Sequence, residues 1–176
     1  MYSIPTLTGI RRIKNKQIRQ PKFVGYRYLG AIVAATLAWL GGMFLLFGPA
    51  QAILANPAYQ SDKFLQMFFA VPPAPRTTTH FMPLLLGVLL VCSVLVGVYA
   101  QVRVALTGGV WQRGLHYGLL TWAVMVPWFE FYLPYNVCHV PLHLVLLDAA
   151  IWWVIHEFVG VVIAFVLEKN NTFVPE

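Results

Sequence analysis

Long apolar stretches separated by short polar connections set the pattern of this chain. Four of them, over 28–54, 81–100, 114–133 and 142–167, reach the roughly 20 residues a helix needs to cross a ~30 Å hydrocarbon core. None alternates apolar and polar positions over about 10 residues, as a barrel strand would. Backbone polar groups in lipid must be satisfied within their own segment, so each run is predicted as a helix. The expectation is an all-α membrane protein, a four-transmembrane-helix bundle occupying 28–168. A segment 1–27 precedes it and a short tail 169–176 follows it. No repeat of roughly 20–50 residues is discernible.

Composition strengthens that reading. The chain of 176 residues is 59% hydrophobic and 10% charged, with a mean hydropathy of +0.69. A water-facing surface needs more charge than this, roughly 25% in soluble domains. A chain this short also has too much surface to hide its apolar residues inside itself. The expected solvent is lipid.

The net charge of +6 changes the picture only when it is located. Seven of the twelve basic residues are Arg11, Arg12, Lys14, Lys16, Arg19, Lys22 and Arg27. The other 149 residues carry five basic and six acidic groups. Basic residues flanking the first span mark the cytoplasmic side, and those of 11–22 are predicted to meet anionic lipid headgroups. With that end inside, ten basic residues lie on the cytoplasmic side and two, Lys63 and Arg76, on the other. Both termini are therefore expected in the cytoplasm, in a multi-pass protein of the inner membrane. Nucleic acid is not an expected partner. Ala50-Gln51-Ala52 resembles a signal-peptidase site, but the basic region before its apolar run is far longer than a usual n-region. That run is read as a retained span.

Helices in lipid associate where small residues let backbones approach. Such stripes are Ala31, Ala35, Ala38 and Gly42; Ser93 and Gly97; Gly114 and Gly118; Gly160 and Ala164. Pro127 cannot donate to the carbonyl of Ala123, so a bend is predicted there, with Glu130 one turn beyond. Between spans one and two, the stretch from Phe64 to Val71 is too short to cross and is predicted to lie in the outer interface. Residues 7–20 carry Leu7, Ile10, Ile13 and Ile18 among basic side chains and predict a similar surface helix inside, ended by Pro21. Trp128, Phe129, Phe131, Tyr132 and Tyr135 form an outer aromatic belt. Arg113 and His116, at the inner end of span three, are expected to reach for headgroups.

Polar groups within spans need an explanation, because a charge near the bilayer centre costs about 2.5–3.5 kcal/mol even on the lenient scale. His156 and Glu157 are adjacent and point roughly 100° apart on a helix, so they cannot make one compact site alone. The functional reading of His156, Glu157 and Glu130 is a proton-handling or ligand-binding path. The structural reading is a neutral imidazole bonded to another helix, with Glu157 protonated or facing a partner subunit; it is preferred. A second group at the outer face, His80, Cys138, His139 and His143 with Glu130 and Asp148, offers ligand types suited to Cu or Zn. Pro141 interrupts the His139–His143 spacing, and no compact ligand motif is present. Cys92 and Cys138 are not expected to pair. There is no phosphate loop, serine elbow or His-Glu-x-x-His helix. The sequence requires no cofactor.

His80 before span two, Trp111-Gln112-Arg113-Gly114-Leu115-His116-Tyr117-Gly118-Leu119-Leu120-Thr121-Trp122 entering span three and Phe129-Glu130-Phe131-Tyr132-Leu133-Pro134-Tyr135-Asn136 closing it resemble small four-helix bacterial inner-membrane proteins of unknown function. The resemblance covers spans two to four. It implies fold and location, and transfers no activity to any residue. The leading expectation is a noncatalytic accessory or structural subunit of a larger inner-membrane complex, with lipids and other integral subunits as partners. A small transporter or channel is the alternative, and a membrane metal-binding protein the third.

Overall fold

The computed structural model describes residues 25–66 and 81–168, and every regular element among them is helical. Helix α1 (Gly25–Gly42) continues through a π-helical segment, Met43–Phe47, into α2 (Gly48–Leu54). A single turn, α3 (Asp62–Leu65), follows. Helix α4 spans Phe81–Val102 and α5 spans Val110–Val126; a second π-helical segment, Pro127–Val137, leads to α6, Leu142–Glu168.

Three of these helical runs are long and apolar enough to cross a membrane: Gly25–Leu54, Phe81–Val102 and Leu142–Glu168. Helix α5 differs. Its 17 residues rise only about 25 Å, short of a ~30 Å core, although it runs directly into the 11-residue π segment. The expected third span over 114–133 is thus corrected at both ends. Winding begins earlier, at Val110, and at Pro127 it widens rather than stopping. Proline supplies no N–H and its ring crowds the carbonyl four residues back, so α-register bonding is lost there. The i+5 register takes over; the amide of Cys138 donates to Leu133 O at 3.2 Å. The first π segment likewise ends just before a proline, Pro49.

The molecule carries its apolar side chains outward as well as inward. Leu45 is 75% exposed and Leu86 66%, among many large apolar residues on the surfaces of α1, α4 and α6. Such a surface suits lipid.

Packing is closest between α5 and α6, and glycine makes it possible. A Cβ at Gly118 would lie 2.6 Å from Glu157 Cα; one at Gly114, 2.6 Å from Val161 Cα; one at Gly160, 2.5 Å from Gly114 O. The two backbones touch. Helix α1 lies on α6 and α4 through Ala31, Ala35 and Ala38, all buried, while Gly42 faces Ile155. The expected stripe on α4 is not used for packing. Nothing comes within 4 Å of a Cβ at Gly97, and Ser93 donates to its own helix at Leu89 O. That helix packs instead through Val88, Cys92, Leu95, Val96 and Tyr99.

Below this seam a polar knot joins three helices. Glu168 of α6, 7% exposed, forms an ion pair with Arg113 of α5 and accepts from the Tyr99 hydroxyl of α4. Arg113 Nη1 also donates to Gly108 O at 2.7 Å, closing the α4–α5 turn. Gly108 adopts φ +96°, which a residue with a Cβ rarely adopts. Arg113 was expected to reach for headgroups; it is held by Glu168 instead. Tyr117 donates to Leu95 O at 2.6 Å, with its ring edge-on to Tyr99.

At the other end, Ser61 caps α3 by accepting from Phe64 N and donates to Cys138 O at 2.7 Å. Leu54 and Phe64 pack there on Cys138, Val140, Leu144 and Val145. Pro141 opens α6 as expected, its carbonyl accepting from Leu144 and Val145. Residues 7–20 and most of the stretch from Phe64 to Val71 lie outside the described residues, as do Arg11, Arg12, Lys14, Lys16, Arg19 and Lys22.

Candidate functional site

The two π-helical segments do more than relieve prolines. Met43 and Phe47 of the first, and Phe129, Glu130, Leu133, Pro134 and Val137 of the second, line a cavity of about 560 Å³. Leu144, Val145, Asp148 and Trp152 of α6 provide another wall. Gln51 and Gln60 bring amides, and among the described residues no Lys or Arg lines it. The volume falls within the range of small-molecule pockets, about 300–1,000 Å³.

Its chemistry rests on two carboxyl groups. Asp148, two turns into α6, and Glu130 of the π segment both line the cavity, near enough for each carboxyl group to act on the other. Two neighbouring carboxyl groups repel when both are ionised, so a shared proton or a cation relieves the pair. The Gln60 amide is occupied locally, donating to Leu54 O at 2.8 Å and accepting from Ser61 N at 2.9 Å.

A smaller cavity of about 120 Å³ adjoins this one through shared residues Phe129, Glu130 and Trp152. His156 lies in its wall, 2% exposed. The imidazole sits among the rings of Trp39, centroid distance 5.2 Å, and Trp152, 6.2 Å. Its Nδ1 is 3.0 Å from Thr121 Oγ1 of α5. Because that hydroxyl donates to Gly118 O at 2.9 Å, Nδ1–H is the donor to Thr121, and Nε2 of a neutral ring is then an acceptor. The imidazole bonded to another helix, expected from the sequence, is what these contacts describe.

Glu157 points elsewhere, as the angular offset from His156 requires. Its Oε1 accepts from Trp153 Nε1 at 3.0 Å, while Oε2 is buried with no hydrogen-bond partner among the described residues. Of the three intramembrane candidates, Glu130 and His156 therefore share a cavity and Glu157 does not.

The outer-face ligand candidates are dispersed. Cys138 is buried in the cap, and His139 and His143 are exposed, His139 with φ 56°. Among the described residues no three His, Cys, Asp or Glu side chains gather closely enough to hold a metal ion. His80 lies outside the described residues. Cys92 and Cys138 are not joined to each other by a disulfide.

Sequence reasoning missed two groupings. It placed Glu130 and Asp148 in a loose outer ligand set rather than as a pair, and it left Glu168 and Tyr99 without a role. The usable signal for the first was position, since Glu130 and Asp148 each stand a turn or two inside the facing ends of the consecutive apolar runs 114–133 and 142–167. Scans against protein-family models, curated proteins and solved structures find no match to this chain.

Proposed function

We propose that the chain is a four-span inner-membrane protein, both termini cytoplasmic, serving as a noncatalytic subunit of a larger membrane assembly. The fourth crossing in this reading is α5 with its π extension, held along α6 by glycine contacts. The ten-to-two division of basic residues supports the orientation.

One observation carries the subunit role. Glu157 keeps a buried carboxyl oxygen without a hydrogen bond among the described residues, beside Trp153, Val154 and Phe158, which are exposed. A polar atom so placed in hydrocarbon is costly, and a donor from a neighbouring membrane helix would relieve it. Purification from native membranes in mild detergent, followed by mass spectrometry, tests this. A stoichiometric integral partner, lost in Glu157→Leu, is expected; a lone monomer or homo-oligomer counts against it.

A second reading, a small transporter or channel, is favoured by Glu130 standing in the walls of both cavities with His156 beyond it. His156→Leu should then abolish flux in proteoliposomes while the helical circular dichroism is retained.

A further inference from the structure

We propose that the larger cavity is a binding site for a single-chain amphiphile with a protonated amine head, the amine seated on the Glu130–Asp148 pair. This goes beyond the subunit role and does not depend on it.

The cavity is apolar over most of its lining, with Phe47, Leu133, Val137 and Leu144 offering walls for a hydrocarbon chain. Its strongest polar feature is a carboxyl pair contributed by two different elements. Among the described residues no basic side chain lines the cavity to neutralise that pair. An ammonium group fits this chemistry: it supplies three donors and a positive charge to two neighbouring carboxyl groups. A carboxylate or phosphate head would meet the pair's like charge, and an alcohol would leave the charge unanswered. Site and ligand class therefore follow from one arrangement, a recognition pair set into an apolar chamber between two widened helical turns.

Trp152 lines the cavity and gives a direct readout. The full chain in phosphatidylcholine nanodiscs would be titrated with ω-bromododecylamine, whose bromine quenches a nearby indole, and with ω-bromododecanoic acid as the like-charged control. Saturable quenching by the amine is expected, missing from Trp152→Phe, with affinity about tenfold or more above the acid. In Glu130→Gln/Asp148→Asn the preference for the amine should vanish. Val137→Trp, which fills the cavity and leaves the carboxyl pair intact, should also weaken amine binding by about tenfold. Equal quenching by amine and acid, or an amine preference that survives the double substitution, overturns the proposal. So does unsaturable quenching that only follows partition into the bilayer, or unchanged binding in Val137→Trp.

Discussion

The two ends of the α5–α6 hairpin are built on opposite terms. Toward Glu168, glycine removes side chains until backbones touch, and Arg113, Glu168 and Tyr99 consume one another's polar capacity. Toward Leu142, Pro127 and Pro134 force wider winding, and a chamber of about 560 Å³ opens with carboxyl groups in its wall. Deleting side chains brings helices together; deleting backbone donors spreads a helix. A membrane helix can thus be dense at one end and hollow at the other without changing its overall apolarity.

Substitutions can break this contrast, and the glycine seam should respond most. Gly114→Ala with Gly118→Ala drives two Cβ atoms onto backbone at 2.6 Å, which cannot yield as a flexible side chain would. Each overpacked site should cost about 1–3 kcal/mol, read from unfolding in mixed micelles. Next comes Glu168→Ala, which leaves Arg113 and Tyr99 without their shared acceptor. A loss of about 1.5–3 kcal/mol is expected for a charged hydrogen-bond partner, toward the lower end because Arg113 is 26% exposed. Glu168→Asp should recover part of it.

Smaller still is Thr121→Ala, which removes the hydroxyl facing His156. Interhelical hydrogen bonds in membranes average about 0.6 kcal/mol, so the shift should be of that order. The loss should also alter the imidazole Nδ1 signal in nitrogen NMR. Last is Pro134→Ala in the hollow half. Its neighbours are partly exposed and the ladder is already in i+5 register, so stability should change by less than about 0.5 kcal/mol. A Pro134→Ala penalty as large as that of the glycine pair would erase the contrast.

Much of the helical order was legible because lipid imposes a simple rule on apolar runs. The runs 81–100 and 142–167 correspond to α4 and α6 within two residues. Pro127 marked a departure from regular helix, but whether a proline bends, ends or widens a helix depends on what donates to the freed carbonyls, and that is tertiary. Gly114, Gly118 and Gly160 were legible as a seam, while Gly97 looked equivalent and has nothing within 4 Å of a Cβ placed on it among the described residues. Spacing shows that a helix could approach another; it does not show from which side. Arg113 and Glu168 lie 55 positions apart, and Glu130 with Asp148 belong to different elements, so neither pairing has a local signature.

The close fit of α5 against α6 has a consequence for how the chain would be assembled. In the four-span arrangement, α5 is 17 residues long with Arg113 and His116 near its start, a poor candidate for entering the bilayer alone. Its best lodging is the groove offered by α6, which the ribosome makes after it. Biogenesis would then have the pair leave the translocon as one hairpin, with α5 waiting at the interface until its successor emerges. Truncation before α6 should consequently strand α5 outside the hydrocarbon, where a glycosylation or cysteine-labelling tag would report it.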